Sequence, residues 1–276
     1  MAIHQRGTEI VQIKMDEAIN NIIVYSFSYL ENTFEESKWY WMLRYSLKTL
    51  EDVGNTIPVQ VYVSKKDVYD KLSEDFKNIQ FILFDNEYAN LFSQTYRDYG
   101  KMQFHKVINV FNCYKNFNPE NILYVDVDTI WYQNPKKIFD KYSNTEYVWA
   151  CPDNVFNLHK LLNLEFAMND GVFLINPKKC LNLNFDWHLY IKNYIDEKIN
   201  YLRNKLNDKD FVQACWVTMQ YGNYKYFIDH SNGVKYFDEL DVIISNKIKD
   251  VDKSKVIIHH YLNSEYKEYV PAEYCF

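Results

Sequence analysis

Two aspartates one residue apart, Asp126 and Asp128, follow directly on the apolar run Ile122-Leu123-Tyr124-Val125. Such a run reads as a buried strand, so both carboxylates stand where that strand ends and can turn toward one site. In open α/β sheets this rim is where ligands bind. Like charges so close are costly unless a cation lies between them. A hard divalent ion, Mn²⁺ or Mg²⁺, prefers oxygen ligands and commonly bridges protein carboxylates to substrate phosphates.

The elements that must position this pair are legible as short apolar runs alternating with amphipathic stretches. Asn21–Phe27 (NIIVYSF), Val59–Val63, Gln80–Phe84 and Asn121–Val127 read as strands. Between them, Ser37–Leu50, Lys65–Phe76 and Met102–Tyr114 carry apolar residues at helical spacing, with Ser37 as a candidate N-cap and Gly54 as a stop. Strands separated by helices of this length predict βαβ units and a largely parallel sheet. Beyond Asp128 the rhythm loosens. Tyr147–Cys151, Gly171–Ile175 and Lys255–Tyr261 read as strands, and Phe185–Arg203 and Phe211–Met219 as helices.

Composition narrows the class. The chain has 276 residues, 47% hydrophobic and 25% charged, with 6 Gly and 6 Pro, which excludes collagenous, low-complexity and disordered chains. A net charge of −6 lacks the basic excess of a general nucleic-acid binder. Five scattered cysteines without a C-x-x-C pair read as reduced thiols of a cytosolic chain. No apolar run approaches the roughly 18 residues of a membrane span, and Met1–Lys14 lacks the apolar core of a signal peptide, so the expected location is the cytoplasm. Aromatic residues make up 18%, and Lys outnumbers Arg 27 to 4; that pairing points to codon bias, with most rings serving packing.

An ordered series of motifs resembles glycosyltransferase family 8, the glycogenin and bacterial galactosyltransferase-like enzymes, over roughly residues 20–268. Its parts are LYVDVDTIW, WACPD, FAMNDGVFLINPKKC, NDKDFVQACW and VIIHHYLN. The resemblance implies a GT-A fold: an α/β domain with a Rossmann-like, mostly parallel central sheet flanked by helices. A single domain would span 1–276, with a nucleotide-binding half at about 20–135 and a sugar- and acceptor-binding half at about 136–276. It implies transfer of a sugar from a UDP-sugar to an acceptor hydroxyl with retention, assisted by Mn²⁺ or Mg²⁺. Asp126 would touch ribose and metal, Asp128 the metal, and His260 would complete the coordination, with His259 as its competitor because adjacent strand residues face opposite sides. Ser26 and Tyr29 would lie by the uracil and ribose. Lys106, with Lys101 and Arg97 as alternatives, would lie near the sugar and diphosphate, and Lys267 near the departing β-phosphate. Asp153, Asn169 and Gly171 would border the sugar. Asp208, Lys209 and Asp210 would flank the anomeric carbon.

The sequence departs from the family at two places. Lys209 stands where the family has Gln between two aspartates, and Asn263 where a glycine follows the metal histidine. The acceptor, the donor sugar and homodimer formation are left open. Two other readings fit the Asp pair. A haloacid-dehalogenase-like phosphatase or nucleotide hydrolase would use Asp126 as nucleophile, although Ile130 replaces its usual Thr or Val and the motif lies far from the first strand. A catalytically degenerate, glycan-binding relative is the third.

Overall fold

The computed structural model describes residues 19–29, 32–84, 97–149, 169–180, 184, 186–207, 225, 235–238, 240–244, 251–261 and 271, with the backbone alone at 97–104, 147–149, 187–188, 191 and 195. Strands β1 (Asn21–Phe27), β2 (Val59–Val63), β3 (Gln80–Leu83) and β4 (Asn121–Val125) lie parallel in the order β3-β2-β1-β4. Their continuous apolar runs have the cause expected of them, since both faces are covered. Alternation along β1 sends Ile22 and Val24 to one core, with Val107, Val110 and Phe111 of helix α3 (Arg97–Phe117). Ile23, Tyr25 and Phe27 go to the other, with Leu43 and Leu47 of α1 (Lys38–Asp52) and Val68 and Leu72 of α2 (Lys66–Asp75).

Past β3 the chain returns through α3 to β4 on the far side of β1, so strand order reverses between β1 and β4. The crevice at the carboxyl ends of those two strands is the topological switch point of the sheet. Beyond β4, a short helix α4 (Lys136–Tyr142) precedes β6 (Tyr147–Trp149), and β7 (Val172–Ile175) leads into α5 (Pro177–Cys180) and α6 (Trp187–Arg203). β7 lies antiparallel to β4, with β6 and then β8 (Lys235–Tyr236) completing a seven-stranded sheet. A smaller sheet orders β5 (Thr129–Trp131), β10 (Ile258–His260) and β9 (Val242–Ile244).

Several expectations are adjusted. The D-x-D strand stops at Val125 rather than Val127, because the chain turns at Asp126. The helix expected from Met102 begins at Arg97. Ser37 does occupy the N-cap of α1, but its buried hydroxyl makes no capping bond. Gly54, at φ +69°, ends that helix in the left-handed conformation glycine adopts freely. Trp131 is a core residue, 2% exposed, with its indole N–H donating to the Tyr25 hydroxyl, so packing rather than substrate holds this ring. The segment 211–219 and the residue Cys151 lie outside the described residues, as does the side chain of Trp149. Cys113 and Cys180 are buried free thiols. No described helix is long and apolar enough to cross a membrane.

Candidate active site

The Asp126-Val127-Asp128 turn sits at the end of β4, directly beside the switch point. Its shape is set from two sides. Pairing of β4 with β7 brings Val125 opposite Val172, and the Asp126 N–H donates to the Gly171 carbonyl at 2.7 Å. On the other side, β5 begins one residue after Asp128 and takes β10 as an antiparallel partner, with His260 opposite Thr129. The Tyr261 N–H donates to the Asp128 carbonyl at 2.9 Å. This register delivers an imidazole to the carboxylates. His260 Nε2 lies 3.1 Å from Asp128 Oδ1 and 3.9 Å from Asp126 Oδ2.

Asp126, Asp128 and His260 each offer a ligand atom, and these atoms lie within 4.8 Å of one another. Two carboxylates and one imidazole suit Mn²⁺ or Mg²⁺ better than a thiophilic ion. His259 is directed elsewhere: its ring stacks on Tyr261 at 3.9 Å between centroids, on the opposite face of β10. The choice between the two histidines is therefore made by strand alternation, in favour of His260 beside the carboxylates. Glycine at 171 is required by this approach. A β-carbon there would meet His260 Cε1 at 2.0 Å.

Lys106 reaches the same point from α3. Its ammonium is 2.7 Å from Asp126 Oδ2 and 3.4 Å from Asp170 Oδ1, and the residue is 5% exposed. Burial alone would lower its pKa, but Asp126 and Asp170 outweigh burial and raise it, so the group stays charged. Burial pushes Asp126 above the ordinary carboxylate range; Lys106 opposes that shift, and Asp170 and Asp128 add to it. For His260, burial works against the charged form, yet Asp128 and Asp126 raise its pKa overall. A site in which a carboxylate is pushed up and an imidazole is drawn toward a proton is short of positive charge, which is the condition a divalent cation relieves.

The other expected residues fall around this centre. Ser26, at the end of β1, is buried and accepts from Asn109 Nδ2 at 2.9 Å. Asn169 accepts from the Gly171 N–H at 2.9 Å and so shapes the entry to β7. Tyr29 is 3% exposed, donates to Asp67 at 2.6 Å, and has Lys65 Nζ 3.6 Å from its ring centroid. A ring so enclosed offers no free face to a base. Asp153, Asp208, Lys209, Asp210, Asn263 and Lys267 lie outside the described residues, as do the side chains of Arg97 and Lys101. Asp170 was missed by sequence reasoning. It occupies the variable position between Asn169 and Gly171, and the available signal was a carboxylate placed directly before the glycine that borders the D-x-D strand.

Comparison with known proteins agrees with this architecture. A family model described as "Mannosyltransferase putative" matches residues 23–154, the part of the chain that holds β1 to β4 and the aspartate pair. No curated protein matches the chain in sequence. Among solved structures, the galactosyltransferase LgtC, in complex with donor and acceptor sugar analogs, superposes with a TM-score of 0.52 at 15% identity, over 87% of this chain and 86% of that one. Mouse xyloside xylosyltransferase 1 in its apo form superposes at 0.50 with 14% identity, over 87% and 96%. With a mostly parallel sheet whose order reverses beside an aspartate pair, and with these neighbours across most of its length, the chain has the fold of the GT-A glycosyltransferases.

Proposed function

We propose that this chain is a divalent-metal-dependent glycosyltransferase that moves a sugar from a UDP-sugar to an acceptor hydroxyl with retention of configuration. The observation that carries the reading is the convergence of Asp126, Asp128 and His260 at the switch point, with a buried Lys106 behind them. A bound Mn²⁺ or Mg²⁺ supplies charge stabilisation at the departing diphosphate. In this reading Asp126 and Asp128 hold that cation, His260 completes its ligand set, and Lys106 keeps Asp126 ionised and oriented. The nucleotide lies against residues 20–135 and the acceptor against 136–276. Asp153, Asn169 and Gly171 border the sugar, Asp208, Lys209 and Asp210 flank the anomeric carbon, and Lys267 meets the β-phosphate.

The rival hydrolase reading would use Asp126 as nucleophile. Its motif belongs on the first strand of a domain, whereas Asp126 follows β4, the fourth strand along the chain, and Ile130 replaces its usual Thr or Val, which favours the transferase. The family match, to a group described as mannosyltransferases, supports including mannose among the donor sugars.

The test is incubation with Mn²⁺ and a panel of UDP- and GDP-sugars, because slow donor hydrolysis requires no acceptor. Release of a nucleoside diphosphate, lost in Asp128→Ala, is the expected outcome. Cleavage at phosphorus instead, giving nucleoside monophosphate and sugar 1-phosphate from the donor or inorganic phosphate from added UDP, would establish the hydrolase. Nucleotide binding without turnover of any donor would establish a degenerate, binding-only relative.

A further inference from the structure

Behind the Asp126–Asp128 turn, four buried side chains form one hydrogen-bonded chain whose proton directions can be assigned by elimination. The Trp131 indole can only donate, and it donates to the Tyr25 hydroxyl at 2.8 Å. Tyr25 Oη lies 3.0 Å from Ser46 Oγ, and Ser46 Oγ lies 2.9 Å from Thr129 Oγ1. Thr129 Oγ1 lies 2.9 Å from the carbonyl oxygen of Asp126. A carbonyl only accepts, so the single Thr129 proton goes to Asp126. Thr129 must then accept from Ser46, and Ser46 from Tyr25. Every bond points the same way, from the indole to the first residue of the metal turn.

The setting makes this more than a packing detail. None of the four residues is more than 2% exposed, so no water competes for these protons. Aligned bonds in such surroundings strengthen one another. The chain also ties three elements together: Tyr25 belongs to β1, Ser46 to α1, and Thr129 and Trp131 to β5. Thr129 is in addition the register partner of His260. One residue thus fixes the carbonyl of Asp126 through its side chain and the strand of His260 through its backbone.

We propose that Thr129 is a positioning residue for the metal site, setting the angle at which the Asp126-Val127-Asp128 turn presents its carboxylates to the cation. The inference rests on the metal reading above. Removing the hydroxyl by the isosteric change Thr129→Val leaves the Asp126 carbonyl without that donor and the Ser46 proton without that acceptor. The groups behind a metal's own ligands typically govern affinity at the level of about 10–100-fold.

The experiment measures Mn²⁺ binding to the purified protein by the loss of the free-ion electron paramagnetic resonance signal, with thermal unfolding in EDTA recorded alongside. T129V is expected to bind Mn²⁺ about tenfold more weakly or worse, and Thr129→Ser, which keeps the hydroxyl, to bind within about twofold of wild type. A purely structural role would lower the unfolding temperature of T129V and leave Mn²⁺ affinity untouched, and that result overturns the proposal. So does an equal loss in T129S and T129V. Should T129V fail to fold, Ser46→Ala carries the test: a loss of about threefold supports the proposal, and wild-type affinity overturns it. Asp128→Ala separates the two levels. If D128A has lost Mn²⁺ while T129V has not, this inference fails and the metal site stands. If D128A binds as wild type does, the metal site itself fails.

Discussion

The imidazole of His260 fills the space that a β-carbon on Gly171 would need, its Cε1 lying 2.0 Å from that position. No van der Waals contact survives such an approach, so any side chain at 171 must displace the ring. Gly171→Ala is expected to weaken Mn²⁺ binding by about tenfold or more and to cost about 1–3 kcal/mol of stability from overpacking. Mn²⁺ titration together with urea unfolding measures both. Undiminished affinity would mean that His260 is not a ligand.

Lys106→Met removes an ammonium that lies 2.7 Å from Asp126 Oδ2 and 3.4 Å from Asp170 Oδ1. Deleting one partner of a buried ion pair typically costs about 3–5 kcal/mol, because the remaining charge has no compensation. Added Mn²⁺ restores positive charge at the same place, so the deficit of K106M should be largest in EDTA and smaller with metal. Equal deficits in the two conditions would contradict the shared electrostatics of Lys106 and the metal site.

Metal binding should release protons. Burial pushes Asp126 up to about 6, and the carboxylates outweigh burial to raise His260. A cation must displace whatever protons these groups carry, at a cost of up to about tenfold in affinity per pH unit for each proton. Mn²⁺ affinity is therefore expected to be flat well above neutrality and to fall steeply below about pH 6. In the metal-free fold the raised Asp126 has the sign of any raised group: its stabilising contribution is present at low pH and lost as pH rises through about 6. Calorimetric titration in two buffers of different ionisation enthalpy counts the protons directly.

His105 has the opposite sign. Burial, with Lys106 beside it, holds the imidazole down at about 3. The unfolded chain takes up this proton below about pH 6.5, whereas the folded chain does not until about 3. The contribution of His105 is thus fully present above pH 6.5 and lost as pH falls, at up to about 1.4 kcal/mol per pH unit. Comparing denaturation at pH 7 and pH 5, His105→Gln should lose about 2 kcal/mol less than wild type. An unchanged difference would show that His105 is protonated within the fold.

Strands β1 and β2 are readable to the residue, because a strand covered on both faces is a nearly continuous apolar run, broken in β2 by the buried Gln60. The D-x-D strand was read two residues too long, since Val127 extends the apolar pattern while the ladder has already ended. Strand β5 was not readable at all. Three residues carry no period, and they are a strand only because β10 arrives to pair with them. The same dependence left His259 and His260 undecided, as adjacent residues become distinguishable only when a register is set. Asp126 and Asp128 were legible from local pattern alone. Thr129 and Asp170 were not, because their roles come from groups far away in sequence.

The separation between Asp128 and His260 is 132 residues, and it has a consequence for the order in which the protein is made. At synthesis rates of about 5–20 residues per second, about 7–26 seconds pass between translation of the aspartates and of the histidine. During that interval the residues of β1 to β4 and α3, Lys106 among them, have been made, while those of β10 have not. The imidazole joins by a long-range pairing, the slowest kind of contact to form. A chelate of Asp126, Asp128 and His260 would therefore be complete only once β10 has docked.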